Sequence, residues 1–226
     1  MEVEDLIFID YSSTCIAVSH YNKFTMNYRF MVMHNSLDVS KVIGFDVKSH
    51  NKIFGLEDLV EYHSFSRASH SRVKGNTHDY NIKHVKDCMM LSHNFVEKFQ
   101  EFTHSVDYNT CYVGWEDYPV SIKSNSSSHV TDFTAMAKSE FFKIFPIDNT
   151  KWYQPQVIKK TAGNGNYNKR QMFDQFIGME PESELQLFAN KNKVNYYSGS
   201  KNINHPMEDL VDSYFGVKTM INEIMG

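Results

Sequence analysis

The first apolar run, DLIFID at 5–10, is short, closes on an acid and predicts a buried strand. TCIAVSHY (14–21) and TMNYRFMVMH (25–34) follow it after the turn-like YSS and NKF. Three strands on such short connections predict an antiparallel meander. KVIGFDVK (41–48) reads as a fourth strand, GLEDLVEYHSF (55–65) has helical spacing, and 66–79 reads as an exposed loop. A long helix is predicted over 80–103, with Val85, Met89, Phe95 and Phe99 among its apolar positions. CYVGWED (111–117) is another short strand ending in acids. The Ser-rich 121–130 reads as a loop and 131–145 as a helix capped by Thr131. Residues 152–160 read as a strand entering a basic, Gly-containing loop at 161–171. RQMFDQFIGM (170–179) starts a helix, and 189–204 is a polar connector. The final helix begins at Pro206, a favoured first helical position. Its Leu210, Tyr214, Val217, Ile221 and Ile224 form one apolar stripe. This order predicts an α/β fold, a mixed sheet with helices on its faces.

Composition narrows the function classes. In 226 residues, 41% are hydrophobic, enough for a sizeable core. No apolar run reaches the roughly 18 residues of a membrane span. The acidic start MEVEDLIFID lacks the basic region of a secretory signal. Cys15, Cys88 and Cys111 are scattered, odd in number and without CxxC spacing, which points to a reducing compartment and against a cysteine-ligated zinc site. A cytoplasmic location is expected, the host cytoplasm if the source is viral. The abundance of Asn, Lys, Ser, Tyr and Phe fits an AT-rich viral or bacterial genome. The formal charge of −4 does not advertise a nucleic-acid binder. Charge is uneven, however: 151–171 carries Lys151, Lys159, Lys160, Lys169 and Arg170 and no acid.

Acids fall at telling places on three elements. Asp10 ends the first strand and Glu116 a later one. Asp209 and Asp212 lie one turn apart on the final helix. Carboxylates brought together repel unless protonated or holding cations, and oxygen-only ligands suit Mg²⁺ or Mn²⁺. Each acid also has an ordinary alternative, as a strand-end polar residue or a partner of the helix dipole. Glu208 competes for the same role, since it pairs with Asp212 at i,i+4. His205, one turn before Asp209, is either an assistant to a bound water or a helix-entry residue.

Four stretches, FIDYSST (8–14), YVGWEDY (112–118), IKKTAGNGNYNKRQ (158–171) and HPMEDLVDSYFGV (205–217), together resemble the RuvC-type Holliday junction resolvases of the ribonuclease H-like superfamily. The resemblance implies a ribonuclease H-like mixed sheet, an antiparallel three-strand meander plus parallel strands flanked by helices. It implies one such domain over 1–226, with an insertion at roughly 36–79 where the chain is longer than the bacterial enzymes. It implies that Asp10, Glu116, Asp209 and Asp212 ligate two Mg²⁺ or Mn²⁺ ions, with Glu208 left as a first-turn acid. Lys159 would sit near the scissile phosphate, and Lys169 on the DNA backbone with Lys160 and Arg170 in the same basic stretch. Gly163 and Gly165 would allow close approach to a backbone, and Tyr118 stands where the family can place an aromatic wedge.

The implied activity is two-metal hydrolysis of phosphodiester bonds in four-way junctions and other branched DNA, by a homodimer. The alternatives are a nuclease of the same fold acting on RNA–DNA hybrids or in DNA packaging, a non-catalytic DNA-binding module, and an actin-like phosphotransferase, for which 226 residues are few.

Overall fold

The computed structural model describes residues 2–12, 15–35, 56, 58–65, 77–117 and 125–226. Strands β1 (Asp5–Tyr11), β2 (Cys15–Asn22) and β3 (Asn27–Asn35) form the expected antiparallel meander. Strand β4 (Val60–Phe65) joins β3 in parallel. On the other side of β1, β5 (Cys111–Glu116) and β6 (Thr150–Tyr153) also run parallel. The resulting order is β4-β3-β2-β1-β5-β6. A meander followed by parallel strands on the far side of β1 is the ribonuclease H-like arrangement.

Helices cover both faces, which explains why all seven residues of β1 are buried. Helices α1 (Thr77–Phe102) and α2 (Asn125–Phe141) pack on one face. There Ile7, Ile9 and Val18 meet Phe95, Phe99 and Phe141. Helices α3 (Pro155–Thr161), α4 (Lys169–Gly178), α5 (Glu184–Lys191), α6 (Lys193–Tyr196) and α7 (Met207–Met220) follow in the chain. On this second face Leu6, Phe8 and Ala17 share a core with Phe173, Leu210 and Tyr214. A short hairpin, β7 (Tyr197–Ser198) and β8 (Asn202–Ile203), precedes α7.

Several local expectations change. The helical spacing at 55–65 gives a strand, β4, because pairing with β3 supplies its backbone partners. The strand expected over 152–160 stops at Tyr153, and Pro155 opens α3, since proline cannot donate to a ladder but suits a first helical turn. Helix α2 starts at Asn125, inside the expected Ser-rich loop. The polar connector at 189–204 contains α6 and the β7–β8 hairpin. Helix α7 starts at Met207 and is buried on far more than one stripe: Asp209, Val211, Ser213, Phe215 and Gly216 are buried beside Leu210, Tyr214 and Val217. It is wedged between the sheet and the other helices of its layer, so burial extends round most of its circumference and leaves only Glu208, Asp212 and Lys218 half-buried. The strand expected at 41–48, the loop at 66–76 and most of the 36–79 insertion lie outside the described residues.

Glycine sets how closely α7 lies on the sheet. A Cβ on Gly216 would fall 2.2 Å from the ring of Phe8 on β1. A buried Ser19–Ser213 hydrogen bond of 2.8 Å ties α7 to β2. Together these contacts fix the height of α7 over the ends of β1 and β5.

Candidate active site

The parallel register of β1 and β5 pairs Ile9 with Trp115, so the next residues, Asp10 and Glu116, are neighbours on adjacent strands. Ile9 and Trp115 both enter the core on the α1 face, and alternation turns Asp10 and Glu116 to the α7 face. There Asp10 and Glu116 share a hydrogen bond, and the first two turns of α7 bring Asp209 and Asp212 near enough to act on Asp10. The four acids expected at one site thus lie near enough to shift one another's ionisation.

Their electrostatics report the crowding. Burial raises the Asp10 carboxyl well above the usual carboxylate range, and Glu116, Asp209 and Asp212 raise it further. Burial also raises Glu116, helped by Asp212 and opposed by the Asp10 hydrogen bond, Lys169 and Lys159. Such mutual elevation is the mark of carboxylates that lack enough positive charge.

The counter-charge comes from the start of α4. Asn168 caps that helix in a capping box with Gln171, leaving Lys169 in its first turn. A cation there opposes the helix dipole. Lys169 instead reaches across to α7, where its Nζ donates to Asp212 and lies 3.0 Å from Glu208 Oε1. Burial acts to lower its pKa, but Asp212, Asp10 and Glu208 outweigh this and hold the ammonium firmly protonated. Lys169 therefore pairs with both Asp212 and Glu208, while Asp209 and Asp212 also act on Asp10.

The remaining basic-stretch residues separate. Lys159 lies in the last turn of α3 and stabilises ionised Glu116, so it flanks the acids. Lys160 is exposed beside it. Arg170 turns away, stacking 4.2 Å over the Tyr197 ring and donating to the Gly199 carbonyl. Gly163, at φ 135°, makes a turn that other residues rarely adopt. A Cβ on Gly165 would stand 3.2 Å from the Gln156 carbonyl, so its close approach is to α3 itself. A Thr161–Thr219 hydrogen bond of 2.8 Å fastens this segment to α7. Tyr118 lies outside the described residues.

Two groups at the site escaped sequence reasoning as partners. His205 Nδ1 donates to Asp209 Oδ2 at 2.6 Å, and this bond raises the imidazole's pKa despite partial burial. Cys15, at the start of β2, is buried against the same carboxylate; burial first, then Asp209, pushes its thiol well up. One donor atom from each of Cys15, His205 and Asp209 lies within 4.8 Å of the others. Only the meander could have hinted at Cys15, because folding β2 back onto β1 pairs Ala17 with Asp10 and leaves Cys15 near the strand's end.

No protein-family model matches the sequence, and no curated protein matches it. Among solved structures, RuvC from Thermus thermophilus matches with a TM-score of 0.41 and 11% identity, over 98% of this chain and 96% of that one. The T. thermophilus RuvC in complex with Holliday junction substrate matches with a TM-score of 0.42 and 11% identity, over 99% and 96%.

Proposed function

We propose that the protein is a divalent-metal-dependent endonuclease that hydrolyses phosphodiester bonds in Holliday junctions and other branched DNA. The observation that carries the reading is the burial of Asp10 among Glu116, Asp209 and Asp212 at the end of the sheet. A fold does not bury such charge for stability, since each desolvated carboxylate costs several kcal/mol unless matched. An all-oxygen set short of positive charge fits Mg²⁺ or Mn²⁺. Asp10, Glu116, Asp209 and Asp212 would hold the ions, two per site. Bound there, they supply an activated water and charge stabilisation for the leaving oxygen.

The chain's own residues do the rest. Lys159, whose charge favours ionised Glu116, would meet the phosphate being cut. Lys160, exposed beside it, would extend the positive edge toward the DNA backbone, whereas Lys169, expected on that backbone, is turned in onto Asp212 and Glu208. His205 holds the Asp209 carboxylate in orientation. Binding through these contacts should weaken as salt rises. The preference for branched DNA rests on the resemblance of the four motif stretches to the junction resolvases. Symmetric cutting of a four-way junction needs two sites on a two-fold axis. Helix α1 offers Ile82, Val85, Met89 and Met90 as exposed apolar surface for a homodimer.

Cleavage of labelled four-way, three-way and linear DNA in Mg²⁺ or Mn²⁺ tests the reading, with Ca²⁺ used to read binding without cutting. Cutting of branched over linear DNA is expected. A chain that neither cuts nor binds any branched DNA overturns it, and cutting of RNA–DNA hybrids alone moves it to another nuclease of this fold.

A further inference from the structure

The acid site takes hard cations through oxygen, but one of its ligands also belongs to a second donor set. Cys15 Sγ, His205 Nδ1 and an Asp209 carboxylate oxygen come from two elements, β2 and the entry to α7, and lie within 4.8 Å of one another. Cys15 and Asp209 are almost wholly buried, while His205 is open to solvent on one side. Ser12 fixes the Cys15 backbone by accepting from its N–H at 3.0 Å and donating to its carbonyl at 2.6 Å. The backbone that carries the thiol is therefore held in place.

We propose that Cys15, His205 and Asp209 form a binding site for a borderline-soft transition metal, Zn²⁺ foremost, distinct in chemistry from the oxygen-ligated site. One sulfur, one nitrogen and one oxygen are the ligand types Zn²⁺ takes in tetrahedral coordination, with a fourth position left for water. Mg²⁺ has no use for the sulfur. The set contains one cysteine, so the absence of CxxC spacing does not bear on it. Bonds of about 2.0–2.3 Å place tetrahedral donors roughly 3.3–3.8 Å apart. The His205–Asp209 contact of 2.6 Å must open slightly, and the exposed side of His205 allows that. Binding releases the Cys15 thiol proton and takes His205 as neutral imidazole with its proton on Nε2, so it strengthens as pH rises. Resting on the nuclease reading, a further consequence follows: Zn²⁺ here takes Asp209 from the oxygen set and so antagonises Mg²⁺-dependent cutting.

The test uses the metal-free full chain without DNA, with Co²⁺ as a coloured substitute for Zn²⁺. One equivalent should produce a thiolate-to-cobalt charge-transfer band in the near ultraviolet, erased by stoichiometric Zn²⁺. Cys15→Ser should abolish the band and weaken Zn²⁺ binding by about tenfold or more, the scale on which metal-site changes act. His205→Ala should keep the band and weaken binding to a similar degree, while Cys88→Ser and Cys111→Ser leave both as in wild type. Co²⁺ binding without a thiolate band, a band that survives Cys15→Ser, or wild-type Zn²⁺ affinity in His205→Ala each overturn the site. Because no DNA is present, these outcomes are separate from success or failure of the nuclease reading.

Discussion

Lys169→Met removes the ammonium that neutralises the acid cluster while keeping the length and much of the apolar stem. Nζ lies 3.0 Å from Glu208 and pairs also with Asp212. Two unit charges 4 Å apart interact by about 4 kcal/mol in a medium of effective dielectric near 20. The Lys169 side chain keeps 33% of its exposure, so solvent screens part of this, and removing the cation also removes its own desolvation cost. The loss thus falls between about 0–1 kcal/mol for a surface pair and about 3–5 kcal/mol for a broken buried one. Taking about 2 kcal/mol, the melting temperature of a chain this size should fall by about 4–8 °C. The assay is thermal unfolding in chelator, repeated in millimolar Mg²⁺. A bound divalent ion offers the same neutralisation, and binding to the native state alone stabilises it. Mg²⁺ should therefore raise the variant's melting temperature more than the wild type's and close most of the gap. Equal melting temperatures in chelator, or a gap that Mg²⁺ leaves unchanged, would refute the reasoning.

Asp10→Asn removes one buried negative charge at nearly constant shape. It should raise the metal-free melting temperature by a few degrees, on the order of 1 kcal/mol, while abolishing metal-dependent cleavage in a gel assay. The pH dependence of metal-free stability has a definite sign. Asp10 and Glu116 are raised by folding, so their contribution is complete below the ordinary carboxylate pKa of about 4 and is lost as pH climbs through their raised values. Asp5 works the other way: hydrogen bonds from His20 and Asn22 overcome its burial and lower it, so its contribution is lost as pH falls below the ordinary range. Denaturant titrations from pH 4 to 8 should show the Asp10 part of the slope vanish in Asp10→Asn. Gly216→Ala forces a methyl against the Phe8 ring; it should cost about 1–3 kcal/mol by overpacking, read as a lower denaturant midpoint, and should slow cleavage by lifting Asp209 and Asp212 from Asp10.

The central strand was legible because burial on both faces leaves an unbroken apolar run closed by Asp10, and a strand-end acid is visible one residue at a time. The i,i+3 spacing of Asp209 and Asp212 was legible for the same local reason. Strand β4 was not, since Leu56, Leu59 and Val60 also satisfy helical spacing and only the exposed edge of β3 decides between the two. Lys159 and Lys160 were placed on a strand because the apolar pattern around Val157 and Ile158 hides the change that Pro155 makes. The contact of His205 with Asp209 had a local signal in their i,i+4 spacing, but that of Cys15 did not: Cys15 and Asp209 are far apart in the chain, and their meeting depends on α7 settling onto the sheet at Gly216. Likewise, the inward turn of Lys169 and the outward turn of Arg170 depend on where the capping box at Asn168 starts α4.

The central claim is that Asp10, Glu116, Asp209 and Asp212 act as one metal-binding catalytic cluster. Its most direct measurement is cleavage of a four-way DNA junction in Mg²⁺ by wild type and by Asp10→Asn, Glu116→Gln and Asp212→Asn. Wild type should cut, and each variant should fall by at least about a thousandfold while still folding and binding the junction in Ca²⁺. Wild-type cutting rates in Asp10→Asn would contradict the account.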